Sequence, residues 1–508
     1  MFAKVLSFGL NGLNGFKIDV EVDTNIGLPS YDIVGLPDAA VKESKERVRS
    51  AIKNSGFKFP VNRVTVNLAP ANVKKAGANF DLPIAIAILV STNQIQGSKY
   101  QEFVIIGELS LNGKIKPVSG ILPLLISAKS EGYNNFIIPK ANAKEASFIE
   151  GINVYALDTL SDVVAMLSGI VNFEKQEQNV WKNESYEEIT EDFSRVKGQK
   201  IAKRIMEIAV SGGHNILMVG PPGSGKTMIA RCVPSIMPNL TFEEALEVTK
   251  IHSIAGELDH TKGIIKTRPF RAPHHTASTV SLVGGGRDAK PGEISLASNG
   301  VLFMDELPEY QKAALETLRQ PLEDGVVTIS RVSGTYEYPA NFMLIASMNP
   351  CPCGNYGSKS LVCTCSPSMI QKYMKKLSGP LLDRIDLKID VDRVDYLDLT
   401  NKSNEESSSE IRKRVEKARE IQTNRFSGTN VHTNSKMNSK MVNEYCKLSP
   451  ECESLVKLAF EKYKMSARGY TRVLKVARTI ADLDGSKEIQ QNHIAEALAY
   501  RNIDKFSL

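Results

Sequence analysis

The chain is 508 residues long, 42% hydrophobic and 24% charged, with a formal net charge of +6. Such a length predicts several domains, and the composition is that of an ordinary globular protein. No uninterrupted apolar stretch is long enough to span a bilayer, and Met1-Phe-Ala-Lys leads into no signal-peptide pattern, so a cytoplasmic protein with no membrane partner is expected.

The mild positive charge permits nucleic-acid binding without arguing for it. Of the seven cysteines, Cys351, Cys353, Cys363 and Cys365 are bunched, which points to a metal site in a reducing compartment more than to disulfides. From the N-terminus, short strand-like runs alternate with Gly/Pro turns and helical stretches. Phe16 to Val22 and Arg63 to Leu68 alternate with period two, as half-buried strands do. Ala40 to Ser55 reads as an amphipathic helix, with Val41, Val48, Ala51 and Ile52 on one face. Asp81 to Val90 is an apolar helix candidate, and Phe103 to Ile106 and Phe136 to Ile138 are short buried strands. These elements predict an α/β domain over 1–170. Residues 171–195, with Glu184, Glu187, Glu188, Glu191 and Asp192 and few apolar residues, read as an acidic linker or a charged helix face.

The most specific stretch follows. Gly220-Pro221-Pro222-Gly223-Ser224-Gly225-Lys226-Thr227 is a complete G-x-x-x-x-G-K-T phosphate loop, between an apolar run ending at Val219 and a helical run from Met228. Its glycines let backbone N–H groups face phosphates at the positive end of a helix. Lys226 is expected on the outer phosphates of ATP, and the Thr227 hydroxyl on magnesium. Further on, Val301 to Met304 is a buried strand that delivers Asp305 and Glu306 at its C-terminal end, the edge where open α/β sheets bind ligands. Asp305 is the expected second magnesium residue, and Glu306 is placed to polarise the attacking water. The next strand, Phe342 to Met348, ends at Asn349, whose side chain is placed to orient that water. Cys351-Pro-Cys353 and Cys363-Thr-Cys365 suit one structural zinc, although C-x-C is tighter than the usual spacing and free thiols stay open. His274-His275 has no partner spacing for a metal, so a loop role is expected. After polar loops, residues 401–508 read as a helical lid, with helices at 410–425, 452–464, 471–483 and 493–500.

Several stretches carry resemblances. Gly107 to Val118, with the helix after it and Phe136 to Pro139, resembles the C-terminal domain of Lon proteases, a fold related to the second domain of ribosomal protein S5. The catalytic serine and lysine positions of that family fall near Asn79 and Leu122, neither of which can do the chemistry. Lys75 lies nearby. A scaffold without protease activity is therefore expected, used for binding or ring organisation. Residues 196–400 resemble an AAA+ ATPase. By that resemblance Asn349 is sensor 1, and Arg384, in Gly379-Pro-Leu-Leu-Asp-Arg384, is an arginine finger reaching the neighbouring subunit's ATP; a surface pair with Asp383 or Asp386 is the plain alternative. Arg472 resembles the sensor-2 arginine that reads the γ-phosphate, with Arg468 its competitor. Thr261 to Ser298 resembles the helix-2 insert, whose loops face the ring pore. A hairpin formed by 325–331 and 335–339 precedes the sensor strand.

End to end, the chain resembles the ComM/YifB family of Mg-chelatase-like AAA+ proteins, through Tyr31 to Ser44, Asn67 to Ala71, Pro269 to His275 and Asn349 to Gly354. The resemblance implies ATP and magnesium as cofactors, a hexameric homo-oligomeric ring, and DNA, single-stranded or branched, as partner. The implied activity is ATP-driven branch migration in recombination or natural transformation. Arg271, Arg287 and Arg331 are the candidate contacts to a DNA backbone. A hairpin that only packs subunits together is the bland alternative for Arg331. The second functional class is a chelatase-like ATPase that remodels a protein or assists metal insertion; the third is a nucleotide-switched scaffold, which the full set of ATPase residues disfavours. The expected fold is α/β multidomain: an S5/Lon-like α+β domain, a parallel-sheet ATPase core and a helical lid.

Overall fold

The computed structural model describes residues 1–181, 191–259, 261–286, 289–331, 334–358, 361–394 and 405–501. Arg287 and the linker residues Glu184, Glu187 and Glu188 lie outside the described residues.

The N-terminal region is built on a seven-stranded mixed sheet. Its spatial order is Ser30–Val34, Arg63–Ala69, Asn14–Asn25, Phe2–Asn11, Val104–Ile105, Asn135–Pro139 and Asn153–Leu157. Phe2–Asn11 and Asn14–Asn25 form a hairpin in which Asn11 pairs with Asn14, and Gly12 supplies the positive φ of the two-residue turn. Neighbouring strand residues divide between two apolar clusters. Ile105 and Ile137 join the side packed by helices Ala39–Asn54 and Asp81–Ser91. Val104, Ile106, Phe136 and Ile138 join the side packed by helix Ile121–Ser130. Helix Ala39–Asn54 starts where Asp38 accepts the Val41 N–H, so the cap lies just beyond the Gly35-Leu36-Pro37 turn.

The central region is a five-stranded, all-parallel sheet in the order Phe270–Arg271, Val301–Met304, Met343–Met348, Ile216–Val219, Leu387–Asp390. Its strands are buried on both faces, which is why they read as unbroken apolar runs. Ile216 and Met218 face one cluster, and Leu217 and Val219 the other. The C-terminal region consists of helices Ser408–Arg425, Ser439–Tyr445, Pro450–Lys462, Ala467–Leu483 and Gln491–Ala499. It is not a separate core: Val415, Val473, Leu474, Ile480 and Ile494 lie in the same apolar cluster as Ile216, Phe303 and Ile345 of the sheet.

The N-terminal and central regions touch directly. Gly120 donates its N–H to Ser253 Oγ at 2.9 Å, Lys144 Nζ bonds Thr261 O at 2.8 Å, and Leu13 packs on the central cluster. Trp181 packs at a tilt against Phe242, and Asp192 receives the N–H groups of Ser194 and Ser408, so the described ends of the expected linker are fastened. Among the described residues no helix is long and apolar enough to cross a membrane.

Candidate nucleotide site

Strand Ile216–Val219 runs into the phosphate loop, and helix Lys226–Ile236 leaves it. The first-turn N–H groups of that helix have no intrahelical partner, which suits an anion. Glycine is required at 220, because a Cβ there would sit 2.1 Å from Val391 O. The loop lines a cavity of about 490 Å³ together with Lys226, Thr227, Asp305, Glu306, Ser347 and Asn349. Lys226 Nζ bonds the carbonyls of Gly220 at 2.8 Å and Pro221 at 2.9 Å, and lies 3.5 Å from Asn349 Oδ1. Burial lowers its pKa, opposed by the charges of Asp305 and Glu306. Thr227 Oγ1 donates to Asp305 Oδ2 at 2.9 Å. A hydroxyl and a carboxylate oxygen side by side at a phosphate cradle form the hard oxygen donor set that magnesium takes. Ser347 also donates to Asp305, a residue missed in the sequence although it is the one polar side chain inside the sensor strand.

Arg384 and Arg472 lie elsewhere. Asn215, which precedes strand Ile216–Val219, bonds Arg384 O through its side chain at 3.1 Å, and its N–H meets Asp386 Oδ2 at 3.4 Å. Asp386 in turn pairs with Arg472 Nε at 3.3 Å and His214 Nδ1 at 3.2 Å. All of these sit at the N-terminal edge of the sheet, whereas the phosphate loop leaves its C-terminal edge. A four-residue strand at about 3.3 Å per residue sets the two edges about 13 Å apart. Arg472 therefore does not face the phosphate loop of its own chain. The plain alternative for Arg384 also fails in detail, since its ion pair is with Glu323, not with Asp383 or Asp386. Arg384, Arg468, Arg472, Lys436 and Lys475 line a second cavity of about 550 Å³ with Glu323, Asp383 and Asp386, an excess of positive charge. Arg384 Nε and Arg472 Nη1 are buried there without a hydrogen-bond partner among the described residues. A buried N–H of a guanidinium left unpaired is costly, and an anion would satisfy it.

The four cysteine sulfurs lie within 4.8 Å of one another. Cys351 to Cys353 is 3.3 Å, Cys353 to Cys363 3.6 Å and Cys351 to Cys363 3.7 Å. A zinc tetrahedron with 2.3 Å bonds has sulfur–sulfur edges of about 3.8 Å, so the donors fit a single ion. Backbone N–H groups of Asn355 and Thr364 hold the Cys353 thiol down at about 5. The cluster loop starts two residues after Asn349, and Gly354 lies so close to the phosphate loop that a Cβ would meet Pro222 Cδ at 2.5 Å.

Of the arginines expected on DNA, Arg271 is engaged by Glu293 at 2.7 and 2.8 Å and by Glu257 at 2.9 Å, so its charge is spent within the fold and it is withdrawn as a DNA contact. Arg331 is exposed at the end of hairpin Val326–Arg331/Gly334–Pro339, paired in register with Gly334. The base of that hairpin is a packing element, since Tyr338 OH donates to Ala289 O at 2.9 Å. In the N-terminal region, Asn79 donates to Phe8 O at 3.2 Å and Leu122 is buried. Lys75 is fully buried with its Nζ on the carbonyls of Pro70 and Val73, so it is no substitute nucleophile partner.

The chain matches family models described as magnesium chelatase subunit ChlI over 192–399, subunit ChlI of Mg-chelatase over 20–142, and the ChlI C-terminal part over 405–501. It is 43% identical to competence protein ComM of Haemophilus influenzae over 510 residues, covering 98% of this chain and 97% of that protein. The chain belongs to the ComM/YifB family of Mg-chelatase-like AAA+ proteins. YifB of Escherichia coli is 40% identical over 496 residues, 97% of this chain and 96% of its own length. A Lon protease of Salinispora arenicola is 26% identical over 171 residues, 31% of this chain and 22% of the protease, which fits the Lon-like reading of that region. Membership of the ComM/YifB family implies ATPase activity with ATP and magnesium.

Proposed function

We propose that this chain is a ring-forming ATPase motor that acts on single-stranded or branched DNA, with branch migration or unwinding as its output. The observation that carries the ring is the division of charge. The phosphate cradle opens at one edge of the sheet, and the unpartnered guanidinium atoms of Arg384 and Arg472 line a cavity at the other. In a head-to-tail ring the second cavity of one subunit meets the cradle of the next. A hexamer is the ring size proposed, from the family. On this reading the backbone of residues 220–227 and Lys226 hold the phosphates, and Asn349 orients the attacking water. Glu306 polarises that water. Thr227 and Asp305 would hold magnesium, which would supply neutralisation of phosphate charge. Arg384, with Arg472 or Arg468, stabilises developing charge on the neighbour's γ-phosphate. The cysteine cluster holds structural zinc that braces the loop carrying Asn349 against the phosphate loop. The parts proposed are the Lon-like region 1–170 without a protease pair, the linker 171–195, the ATPase core 196–400 and the lid 401–508.

DNA as partner is supported by the competence protein among the relatives and by exposed Arg331 beside the insert. A chelatase-like role, remodelling a protein or assisting metal insertion, is the second reading, favoured by the family models over the core and lid. The deciding experiment is the steady-state ATPase rate with and without single-stranded and forked DNA, with Glu306→Gln as the blank. Several-fold stimulation by DNA is expected; a robust rate indifferent to DNA transfers the assignment to the second reading.

A further inference from the structure

His214 has no part in the nucleotide chemistry described so far, yet it is fully buried where the sheet meets the lid. The sequence makes room for its ring. Helix Lys200–Gly212 ends in Gly212, where a Cβ would sit 2.2 Å from His214 Nε2 and 2.5 Å from Thr479 Oγ1. Gly213 then takes a left-handed backbone with φ 69°, which turns the chain toward strand Ile216–Val219. That strand runs parallel to Leu387–Asp390 with Ile216 opposite Leu387, so His214 and Asp386 arrive at the same sheet edge. His214 Nδ1 meets Asp386 Oδ2 at 3.2 Å, and since a carboxylate only accepts, that nitrogen carries the proton. His214 Nε2 meets Thr479 Oγ1 at 2.9 Å. The second carboxylate oxygen, Asp386 Oδ1, holds Arg472 Nε at 3.3 Å. Arg472 and Thr479 lie on one face of helix Ala467–Leu483, about two turns apart. One imidazole ring therefore fixes the lid helix at two points, directly at Thr479 and through Asp386 at Arg472. The Thr479 end is anchored in turn, because Asn434 Nδ2 donates to Thr479 Oγ1 at 3.1 Å and to Asp482 Oδ2 at 2.8 Å. Arg472 Nη1 is buried without a partner among the described residues, and the side chain lines the positive cavity. A slip of the helix by one residue would swing that guanidinium by about 100°.

We propose that His214 is a positioning residue for Arg472: by pinning the lid helix at two points it aims the Arg472 guanidinium at the γ-phosphate held by the neighbouring subunit. The proposal rests on the reading that the positive cavity meets the neighbour's phosphate cradle. A guanidinium stabilises developing charge only from hydrogen-bonding reach, so a small displacement of the helix is felt in the chemical step. His214 sits at the sheet edge opposite its own chain's phosphate loop, so the same displacement leaves that loop's hold on ATP intact.

The test is steady-state ATPase of the full chain with magnesium and ATP, in single variants and in the Arg472→Ala background. A glutamine amide reproduces Nε2 and loses Asp386, whereas an asparagine amide reproduces Nδ1 and keeps it. His214→Gln is expected to lower kcat by about tenfold or more with KM for ATP unchanged, the scale of a misplaced catalytic group. His214→Asn is expected to recover most of that loss. In the Arg472→Ala background His214→Gln is expected to cost nothing further, because it acts only through Arg472. Thr479→Val, nearly isosteric, releases the other pin and is expected to show a smaller loss with the same dependence on Arg472. Losses that multiply with that of Arg472→Ala overturn the proposal in favour of a packing role. A wild-type kcat in His214→Gln beside an impaired Arg472→Ala overturns the positioning role alone. A wild-type kcat in Arg472→Ala overturns the reading of the cavity for Arg472, and the proposal with it.

Discussion

Arg384 and Arg472 each keep a buried guanidinium nitrogen without a partner among the described residues, and each is held in place by a carboxylate. Such arginines are positioned in advance for an anion. If that anion is the neighbouring subunit's ATP, the defect caused by removing one of them is borne by the neighbour. Arg384→Ala is then expected to bind nucleotide with unchanged affinity and lose at least about tenfold in kcat, the usual scale for removing one transition-state charge. Mixing it with inactive Glu306→Gln protein restores part of the activity, because some interfaces combine an intact finger with an intact carboxylate. No recovery in the mixture counts against action between subunits. Lys226, Thr227 and Asp305 were legible because the phosphate loop and the strand ending in two acids have fixed chemistry at fixed spacing. The place of Arg472 was not: helix periodicity says which face of Ala467–Leu483 is buried, and nothing about which sheet edge that helix crosses.

Among the elements, two joints carry predictions. The first is the cysteine loop, which packs on Pro222 and continues from Asn349. A zinc-bearing chain is expected to release one zinc on treatment with a strong chelator, and Cys351→Ser with Cys363→Ser to be isolated without it. Metal content by mass spectrometry reads the first outcome, and loss of ATPase with retained nucleotide binding reads its effect on the sensor loop. The second joint is Asp386, where strand Leu387–Asp390 meets the lid helix bearing Arg472. Burial alone would push its carboxyl up; the hydrogen bond and charge of His214 and the charges of Arg472 and Lys475 outweigh it and hold it below the usual carboxylate range. A carboxylate lowered on folding contributes stability that is fully present above its unfolded pKa and lost as the pH falls through the folded value. Asp386→Asn is expected to cost about 3 kcal/mol at neutral pH by urea unfolding, since it leaves Arg472 uncompensated. It also flattens the acid limb of stability against pH. The element boundaries themselves were largely readable: Arg63–Ala69, Ala39–Asn54 and Ser408–Arg425 fall within a residue or two of their sequence signals. Phe2–Asn11 was not, because it sits inside the sheet with Leu6 to Phe8 at least partly covered in succession, and its alternation is blurred.

For the whole molecule, the apolar cluster common to the central sheet and the C-terminal helices has a thermal consequence. Ile205, Met206 and Val233 of the central region share a cluster with Val415, Val473, Leu474 and Ile480 of the C-terminal helices, so that face of the sheet is completed by the helices, and only the opposite face has a cluster from the central region itself. Calorimetry is expected to register one endotherm for core and lid together, and a separate one only for the N-terminal sheet, which has its own two clusters. Two well-resolved transitions for core and lid would contradict that. The shared cluster then ties the lid to the central sheet through the described residues, and in the proposed ring the rearrangement expected during turnover is a sliding of copies past one another, with the interior of each kept intact.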